Sequence, residues 1–279
     1  MLYKDKHRIM SEQKYYNFVL NEYNPSNYES QELEDSRFKK GTYYSHICKT
    51  RCFLIYREIA NNLHVKNKVI DFGFFPGTIL RQLKILFNDD ILCYGIGQKV
   101  DAKFEKYTES FVEETVLAEF DPFYQENKDT KISVPYNDQT FDAVIATEIL
   151  EHLISPLDMI SEGARILKKG GIFIMTTPNV SHIGAIFKLL KGKSNYERLD
   201  RSPMYLQKDN WRGHIRFYDK SELIVLYHRY GLKLLKHQYY LERGWDHALW
   251  PFIKRLVINC VDKLIPPYRE NHFAVFTKK

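Results

Sequence analysis

The hydrophobic and polar positions along the chain alternate between short apolar runs and longer segments with helical spacing, the pattern of strands that alternate with helices. Short apolar runs typical of buried parallel strands occur at 68–70, 91–96, 116–120, 143–146 and 171–175. Between the last two runs, Ile160, Ala164 and Leu167 fall on one helix face, and we expect Gly170-Gly171 to end that helix. This order predicts an α/β fold with a doubly wound, mostly parallel sheet.

A glycine-bearing turn follows the first predicted strand. The sequence of the turn is Asp71-Phe72-Gly73-Phe74-Phe75-Pro76-Gly77-Thr78, and the apolar-periodic segment 79–87 follows it as a helix. A strand, a glycine turn and a helix in that order let a ligand approach the backbone at the helix N-terminus. We therefore expect a ligand site along residues 71–78.

Several motifs in this order resemble those of the class I S-adenosylmethionine-dependent methyltransferases. Asp71-x-Gly73-x-x-x-Gly77 matches the family's D-x-G-x-G-x-G loop, and Phe141-Asp142 with Glu148-x-x-Glu151-His152 matches its FD-x-V and E-x-x-EH segment. Lys168-Lys169-Gly170-Gly171, Thr177-Pro178-Asn179 and the segment 213–223 match further signatures. The resemblance covers about residues 65–235 and implies a Rossmann-like sheet, mostly parallel with a C-terminal antiparallel strand, in an enzyme that uses S-adenosylmethionine.

The resemblance also implies which residues contact the cofactor, and two of these positions depart from the family pattern. The implied contacts are Asp71, Gly73, Phe75, Gly77, Thr78, Gln98, Asp121 and Glu148. Phe75 replaces the middle glycine of the loop. The acidic residue that usually holds the ribose hydroxyls is also replaced, because the second strand runs into Gly97-Gln98. We expect Gln98, with help from Asp101, to bind the ribose instead.

The chain is predicted to divide into an N-terminal helical cap and one catalytic domain. The cap covers residues 1–63, with a helix at 46–63, and packs on a methyltransferase domain at 64–279. A lid insertion is expected near 180–212 and contains the apolar helix 183–190. Segments 232–240 and 273–277 fit closing antiparallel strands. Segment 245–265 fits a helix that packs on the core or touches a partner or a membrane surface.

A cluster of carboxylates and imidazoles is expected at the open end of the sheet. Glu148, Glu151 and His152 stand at i, i+3 and i+4, and so would share one face of a first helical turn. With His214, they resemble the metal-binding pattern of the small-RNA 2′-O-methyltransferases and of the ubiquinone-pathway O-methyltransferases. A divalent cation such as Mg²⁺ held by these four residues is one interpretation. A second interpretation is a histidine base without metal, with Glu148, His152 and His214 as catalytic residues. A third is a purely structural role for the cluster.

Composition limits the partners and the location of the protein. The net charge of +6 is spread along the chain and shows no basic stripe, so duplex nucleic acid is not expected, and an anionic small molecule or saccharide fits better. The four cysteines form no C-x-x-C pair, and the N-terminus lacks an apolar signal segment. These features predict reduced thiols, no transmembrane segment and a cytoplasmic location. A homo-oligomer is compatible with the sequence.

The resemblance favours an O-methyltransferase that acts on a hydroxyl of a sugar or phosphorylated glycan precursor, as in surface-polysaccharide biosynthesis. A methyltransferase of a quinone-like or other small molecule is the second hypothesis. The third hypothesis is a non-catalytic binding protein with a methyltransferase scaffold.

Overall fold

The computed structural model describes residues 9–23, 44–88, 90–97, 102–118, 120, 133–196, 213–242, 260 and 263–279. Within these ranges the helices are α1 Glu12–Asn17, α2 Tyr44–Ile47, α3 Lys49–Asn62, α4 Thr78–Leu86, α5 Ala102–Thr108, α6 Pro156–Ile166, α7 Ile183–Leu190 and α8 Lys220–His228. A π-helical segment, Phe18–Glu22, continues α1. Short 3₁₀ helices lie at Leu150–His152 and Pro266–Tyr268.

In the described part of the chain, seven strands form one sheet in the order β3-β2-β1-β4-β5-β7-β6. They are β1 Lys68–Phe72, β2 Leu92–Gly97, β3 Glu114–Leu117, β4 Phe141–Thr147, β5 Leu167–Pro178, β6 Leu232–Tyr240 and β7 Asn271–Lys278. The pairs among β1 to β5 are parallel, whereas β7 is antiparallel to both of its neighbours. The mostly parallel sheet with an antiparallel C-terminal strand confirms the predicted fold class.

Two apolar layers cover the two faces of the sheet. One layer joins α1, α3 and α4 to the face that carries Val69, Ile145 and Ile174. The other joins α6 and α8 to the face that carries Ile70 and Val144. Because neighbouring residues of one strand point to opposite layers, the central strands are apolar at nearly every position, as parallel strands covered on both faces must be.

The point where the strand order reverses lies between β1 and β4. From β1 the chain continues to β2 and β3 on one side, and from β4 it continues to β5 on the other. Asp71 pairs with Ile145, and Phe72 pairs with Ala146, so these two strands end side by side. In doubly wound sheets ligands bind at the carboxyl ends of the strands at this switch point. The fold therefore indicates a ligand site at the residues just after Phe72 and Thr147.

Three boundaries differ from those the sequence predicted. The helix α6 ends at Ile166, and Leu167 already belongs to β5, so Gly170-Gly171 does not end the helix. Instead, Gly170 has φ of +75° beside a register shift between β4 and β5, a conformation that favours glycine. The third strand begins two residues earlier than expected, at Glu114.

Other predictions match the structure more closely, and some fall outside it. The helix predicted at 46–63 is present as α2 and α3, and the one at 183–190 is α7. Most of the predicted lid after residue 196 and most of the predicted helix 245–265 lie outside the described residues. No helix in the described part of the chain combines the length and apolar character needed to cross a bilayer.

Candidate active site

The glycine turn after β1 adopts a conformation that requires glycine at its C-terminal end. Gly77 has φ of +84° and is the N-cap of α4. A Cβ on Gly77 would lie 2.9 Å from the ring of Phe111, which is closer than a real side chain tolerates. Gly73 also has a positive φ, and its amide donates a hydrogen bond to the carbonyl of Ile96. The turn is thus held against β2 by backbone contacts.

Phe74 and Phe75 of the turn both contact the Phe104 ring but differ in exposure. Phe74 is buried, and a Cβ on Gly95 would lie 2.8 Å from its ring. Phe75 is 51% exposed, and its ring centroid lies 5.0 Å from that of Phe104 in α5. The aromatic ring that replaces the family's middle glycine therefore packs on α5.

Two side chains in this turn carry buried polar atoms with no hydrogen-bond partner among the described residues. These atoms are Asp71 Oδ1 at the end of β1 and Thr78 Oγ1 at the start of α4. Burial raises the pKa of Asp71 to about 8, and the guanidinium of Arg51 opposes the shift. An unsatisfied buried acceptor and an unsatisfied buried hydroxyl are costly unless a ligand completes them.

Arg51 brings a buried cation to the same end of the sheet. Its Nη1 lies 3.3 Å from Glu148 Oε1, and its Nη2 donates to the Tyr44 hydroxyl at 2.5 Å. Its Nε, also buried, has no hydrogen-bond partner in the described part of the chain. No motif in the sequence marks Arg51 as a site residue. Its position on the buried face of the predicted N-terminal helix was the signal that could have found it.

A carboxylate from the far end of the chain fixes the turn of α3 that carries Arg51. Glu242 Oε1 accepts a hydrogen bond from the Thr50 amide at 2.8 Å, and Oε2 accepts one from the Arg51 amide at 3.3 Å. Acidic groups at a helix N-terminus are favourable because they meet amides without intrahelical partners and the positive end of the helix dipole. Glu242 thereby holds Arg51 over the carboxyl ends of β1 and β4.

Glu148 does not lie on the same helical turn as Glu151 and His152. It has φ of +52°, outside the helical region, and the 3₁₀ helix begins only at Leu150. Its carboxylate accepts a hydrogen bond from Thr176 Oγ1 at 2.7 Å and pairs with Arg51. The expectation of one shared helical face was therefore wrong, because the chain turns sharply at Glu148 as it leaves β4.

Glu151, His152 and His214 do come together. One side-chain ligand atom from each lies within 4.8 Å of the other two. The rings of His152 and His214 are 4.8 Å apart, and His152 Nε2 lies 3.9 Å from Glu151 Oε1. The structure thus brings together three of the four residues of the predicted cluster, while Glu148 is directed toward Arg51.

The environment of Glu151 and His214 favours neutral side chains. Burial and then the nearby Glu148 carboxylate raise the pKa of Glu151 well above its usual range, although Thr177 Oγ1 donates to it at 2.9 Å. Burial and then His152 lower the pKa of His214 to about 4. A protonated carboxyl beside a neutral imidazole is the arrangement expected in a site of low polarity.

A backbone contact defines the tautomer of His152. Its Nδ1 lies 2.7 Å from the carbonyl oxygen of Gly213, which can only accept a hydrogen bond, so Nδ1 carries the proton in the neutral ring. The lone pair is then on Nε2, the atom nearest to Glu151 Oε1. The Ile215 amide donates to the Glu151 carbonyl at 2.9 Å and holds the segment that carries His214 in place.

A cavity of about 350 Å³ lies beside this trio. It is lined by Leu153, Ile154, Tyr196, Ile215, Arg216 and Phe217. Five of these residues follow His152 or His214 in the sequence, and the Phe217 ring centroid lies 5.7 Å from that of His214. The cavity therefore lies next to the His214 ring, and its lining combines aromatic and aliphatic side chains with exposed polar atoms.

Three residues of the predicted ribose and adenine contacts lie outside the described residues. They are Gln98, Asp101 and Asp121. The neighbouring Gly97 ends β2, and a Cβ there would make an ordinary contact with Phe74 at 3.5 Å. The ribose contact proposed for Gln98 therefore stays a prediction.

The fold is shared with several solved structures. An S-adenosylmethionine-dependent methyltransferase from Archaeoglobus fulgidus aligns with a TM-score of 0.52 and 14% identity, covering 82% of this chain and 94% of the other. A candidate methyltransferase from Haloferax volcanii, solved with the Trm112 methyltransferase activator, aligns with a TM-score of 0.53 and 15% identity, covering 84% and 89%. The [4+2]-cyclase SpnF aligns at 0.50 and 16%, covering 96% and 95%.

These similarities are of fold alone, since all three identities are low and the cyclase has a different reaction in its name. The comparison with curated proteins finds no significant match. A family model described as a methyltransferase domain, in contrast, matches residues 44–237, which is more than two thirds of the chain and includes both the glycine turn and the trio. The chain belongs to this methyltransferase-domain family and is an S-adenosylmethionine-dependent methyltransferase.

Proposed function

We propose that this methyltransferase transfers the methyl group to a hydroxyl oxygen of a small acceptor bound in the cavity beside His152 and His214. The observation that carries the proposal is the trio of the buried Glu151 and the half-buried His152 and His214 near the carboxyl end of β4. Methyl transfer to a hydroxyl requires a group that takes up the hydroxyl proton, and a neutral imidazole is suited to that role.

The groups left unsatisfied near the glycine turn fit the amino-acid part of S-adenosylmethionine. Asp71 Oδ1 can accept a hydrogen bond from an ammonium group, while Arg51 Nε and Thr78 Oγ1 can donate to a carboxylate. The proposed contacts at Gly73, Gly77 and Glu148 lie along the same edge of the sheet. When bound there, the cofactor supplies an electrophilic methyl group, and the protein has to hold the acceptor in line with it.

The geometry of the trio assigns the proton to a particular atom. With Nδ1–H of His152 donating to Gly213, the lone pair on Nε2 is available to accept the acceptor's hydroxyl proton. The His214 ring lies tilted beside that of His152 and stays neutral, so it does not repel the imidazolium that forms on His152. In this role His152 is the base and His214 positions it and the acceptor.

A divalent cation is the second candidate for this cluster. Ligand atoms around one cation lie about 3 Å from each other when each bond is about 2.1 Å long. The spread of up to 4.8 Å among the atoms of Glu151, His152 and His214 would have to contract, and Glu151 would have to lose its proton. Glu148 would also have to leave Arg51 to complete the predicted set of four ligands. The metal-free base needs none of these changes.

The cavity supports a hydroxyl compound that offers apolar faces. The Tyr196 and Phe217 ring centroids are 5.4 Å apart and form one wall, and Arg216, paired with Glu222, forms part of another. A sugar or phosphorylated glycan precursor is our first proposal, since it would place ring faces on the aromatic wall and a phosphate near Arg216. A quinone-like phenol suits the apolar walls and is the alternative. A cytoplasmic location and a homo-oligomer stay predictions.

The test is methyl transfer from isotopically labelled S-adenosylmethionine to a panel of hydroxyl acceptors that contains sugars, sugar phosphates and phenols. We expect labelled methyl ether in one acceptor class and its loss in Phe217→Ala, with Val225→Ala as a control on the outer face of α8. Methylation on nitrogen or carbon alone would contradict the proposed reaction. Cofactor binding without transfer to any acceptor of the panel would contradict both acceptor classes.

A further inference from the structure

Helix α7 is apolar, and its C-terminal end is exposed in the described protein. Its sequence is Ile183-Gly-Ala-Ile-Phe-Lys-Leu-Leu190, and Ala185 is its only buried residue. Leu189 and Leu190 are 61% and 76% exposed. A helix that is apolar on all sides is normally buried, and exposed apolar patches mark surfaces that bind something. Packing within the described part of the chain therefore does not account for the exposed apolar end of α7.

The charged residues within segment 180–196, which contains α7, are all of one sign. Between residues 180 and 196 the sequence contains three lysines and no aspartate or glutamate. The lysines are Lys188, Lys191 and Lys193, and all three are exposed beside Leu189 and Leu190. A short apolar helix end with adjacent lysines has the character of segments that insert into the surface of anionic membranes, where the lysine heads meet lipid phosphates.

The segment that contains α7 is joined at both ends to the walls of the acceptor cavity. At its beginning, the Val180 amide donates to the Tyr218 carbonyl at 3.1 Å. At its end, Tyr196 lines the cavity and contacts the ring of Phe217. The helix has eight residues, so its length of about 12 Å suits a position within one leaflet surface rather than across a bilayer.

We propose that α7 docks the enzyme on an anionic membrane surface, with Leu189 and Leu190 inserted among the lipids and the three lysines at the headgroups. The docked helix brings the cavity mouth to the lipid surface, so the acceptor is a hydroxyl compound carried by a lipid chain. The docking depends on α7 alone, whereas the assignment of the acceptor rests on the proposed methyl transfer to a hydroxyl.

The experiment is cosedimentation of the full chain with vesicles of phosphatidylcholine alone and of phosphatidylcholine mixed with phosphatidylglycerol. We expect binding to the anionic vesicles, weaker binding to the neutral ones, and a decline in binding as salt rises. The double variant Leu189→Ser/Leu190→Ser should lose about tenfold or more in partitioning, since two inserted apolar side chains are removed. Each Lys→Glu change at 188, 191 or 193 should cost about fivefold or more.

The matched control is Val225→Ser/Leu235→Ser, which removes two apolar side chains that are 68% and 55% exposed on α8 and β6. This control should partition as the unaltered chain does. Equal losses in both double variants, or no binding to anionic vesicles at all, would overturn the docking. Self-association that disappears only in Leu189→Ser/Leu190→Ser, without lipid binding, would assign the surface to a second copy of the chain instead.

Cofactor calorimetry separates this proposal from the proposed function. The Leu189→Ser/Leu190→Ser variant should bind S-adenosylmethionine as the unaltered chain does and should methylate a water-soluble acceptor fragment at an unchanged rate. Vesicle binding without any hydroxyl methylation would leave the docking standing and refute the reaction. Methylation of lipid-free acceptors that equals that of acceptors in vesicles would refute the lipid-borne acceptor.

Discussion

Arg51 Nη1 lies 3.3 Å from Glu148 Oε1, so the N-terminal helix α3 contributes a cation to the carboxyl end of β4. Arg51 is buried, and the Tyr44 hydroxyl and the Glu242 carboxylate hold it and its helix turn in place. The guanidinium keeps one buried N–H, that of Nε, without a partner among the described residues. A preorganised arginine of this kind suits a ligand carboxylate.

The first prediction concerns the role of Arg51 in cofactor binding. Arg51→Ala should weaken S-adenosylmethionine binding by about tenfold to a hundredfold, the range expected for a lost hydrogen bond to a charged group. Methylthioadenosine, which lacks the amino-acid carboxylate, should bind both proteins equally in calorimetry. Arg57→Ala on the same helix is the control, since Arg57 pairs with Glu58 on a more exposed face. An equal loss for both ligands would show that Arg51 only supports the fold.

The second prediction is that cofactor binding releases a proton through Asp71. Because burial raises the pKa of Asp71 to about 8, its carboxyl is mostly protonated in the ligand-free protein at neutral pH. A bound ammonium group favours the carboxylate, so the pKa should fall on binding and the affinity should rise as the pH rises toward about 8. Calorimetry in buffers of different ionisation enthalpy should detect the released proton. Asp71→Asn should abolish both the release and the pH dependence, and an unchanged release in this variant would refute the assignment.

The motifs of the central sheet were predictable from the sequence because they depend on local signals. Apolar runs located β2, β4 and β6 to within two residues, and the glycine turn located the start of α4. In contrast, the boundary between α6 and β5 was missed because Lys168-Lys169-Gly170 continues no apolar pattern and is held in the strand by pairing near Phe141. Strand pairing overrode local propensity there.

The site was less predictable, because its geometry depends on contacts between distant segments. Spacing alone placed Glu148 with Glu151 and His152, but Arg51, nearly a hundred residues away, attracts Glu148 to another position. The partners that place Arg51 are likewise remote, since Glu242 caps α3 from across the sequence. A spacing rule cannot contain this information, whereas the convergence of His152 and His214 followed from motif order.

The third prediction concerns the ribose side of the cofactor site. Gly97→Asp should tighten S-adenosylmethionine binding by about 1 kcal/mol, because a carboxylate accepts hydrogen bonds from hydroxyls more strongly than an amide does. A Cβ at Gly97 makes only an ordinary contact with Phe74 at 3.5 Å, so the side chain fits. Gly95→Asp is the matched variant, and it should destabilise the protein because its Cβ would lie 2.8 Å from the same ring. Weaker binding by a folded Gly97→Asp would show that the ribose lies elsewhere.

The fourth prediction is that His152 and His214 control turnover rather than cofactor affinity. His152→Ala should lower kcat by roughly 10²–10⁴-fold, the usual contribution of a general base, and His214→Ala should lower it less, because His214 only positions the base; the Kd for S-adenosylmethionine should change little in both. His214→Asn tests whether hydrogen bonding alone suffices at that position. Full activity in both alanine variants would leave the trio a structural role only.

Chelation and pH distinguish the base from the metal in the same assay. If His152 is a metal-free base, a chelator leaves the rate unchanged, whereas loss of activity and its restoration by Mg²⁺ or a transition metal would establish the cation.

Burial and His152 lower the pKa of His214 to about 4, so its ring is neutral above that pH and gains a proton only as the pH falls through it. A second imidazolium beside His152 would oppose proton uptake. We therefore expect replacement of His214 by Glu, Asn or Ala to change the acid limb of the plot of kcat against pH. An acid limb that matches that of the unaltered enzyme in all three variants would contradict a coupled imidazole pair.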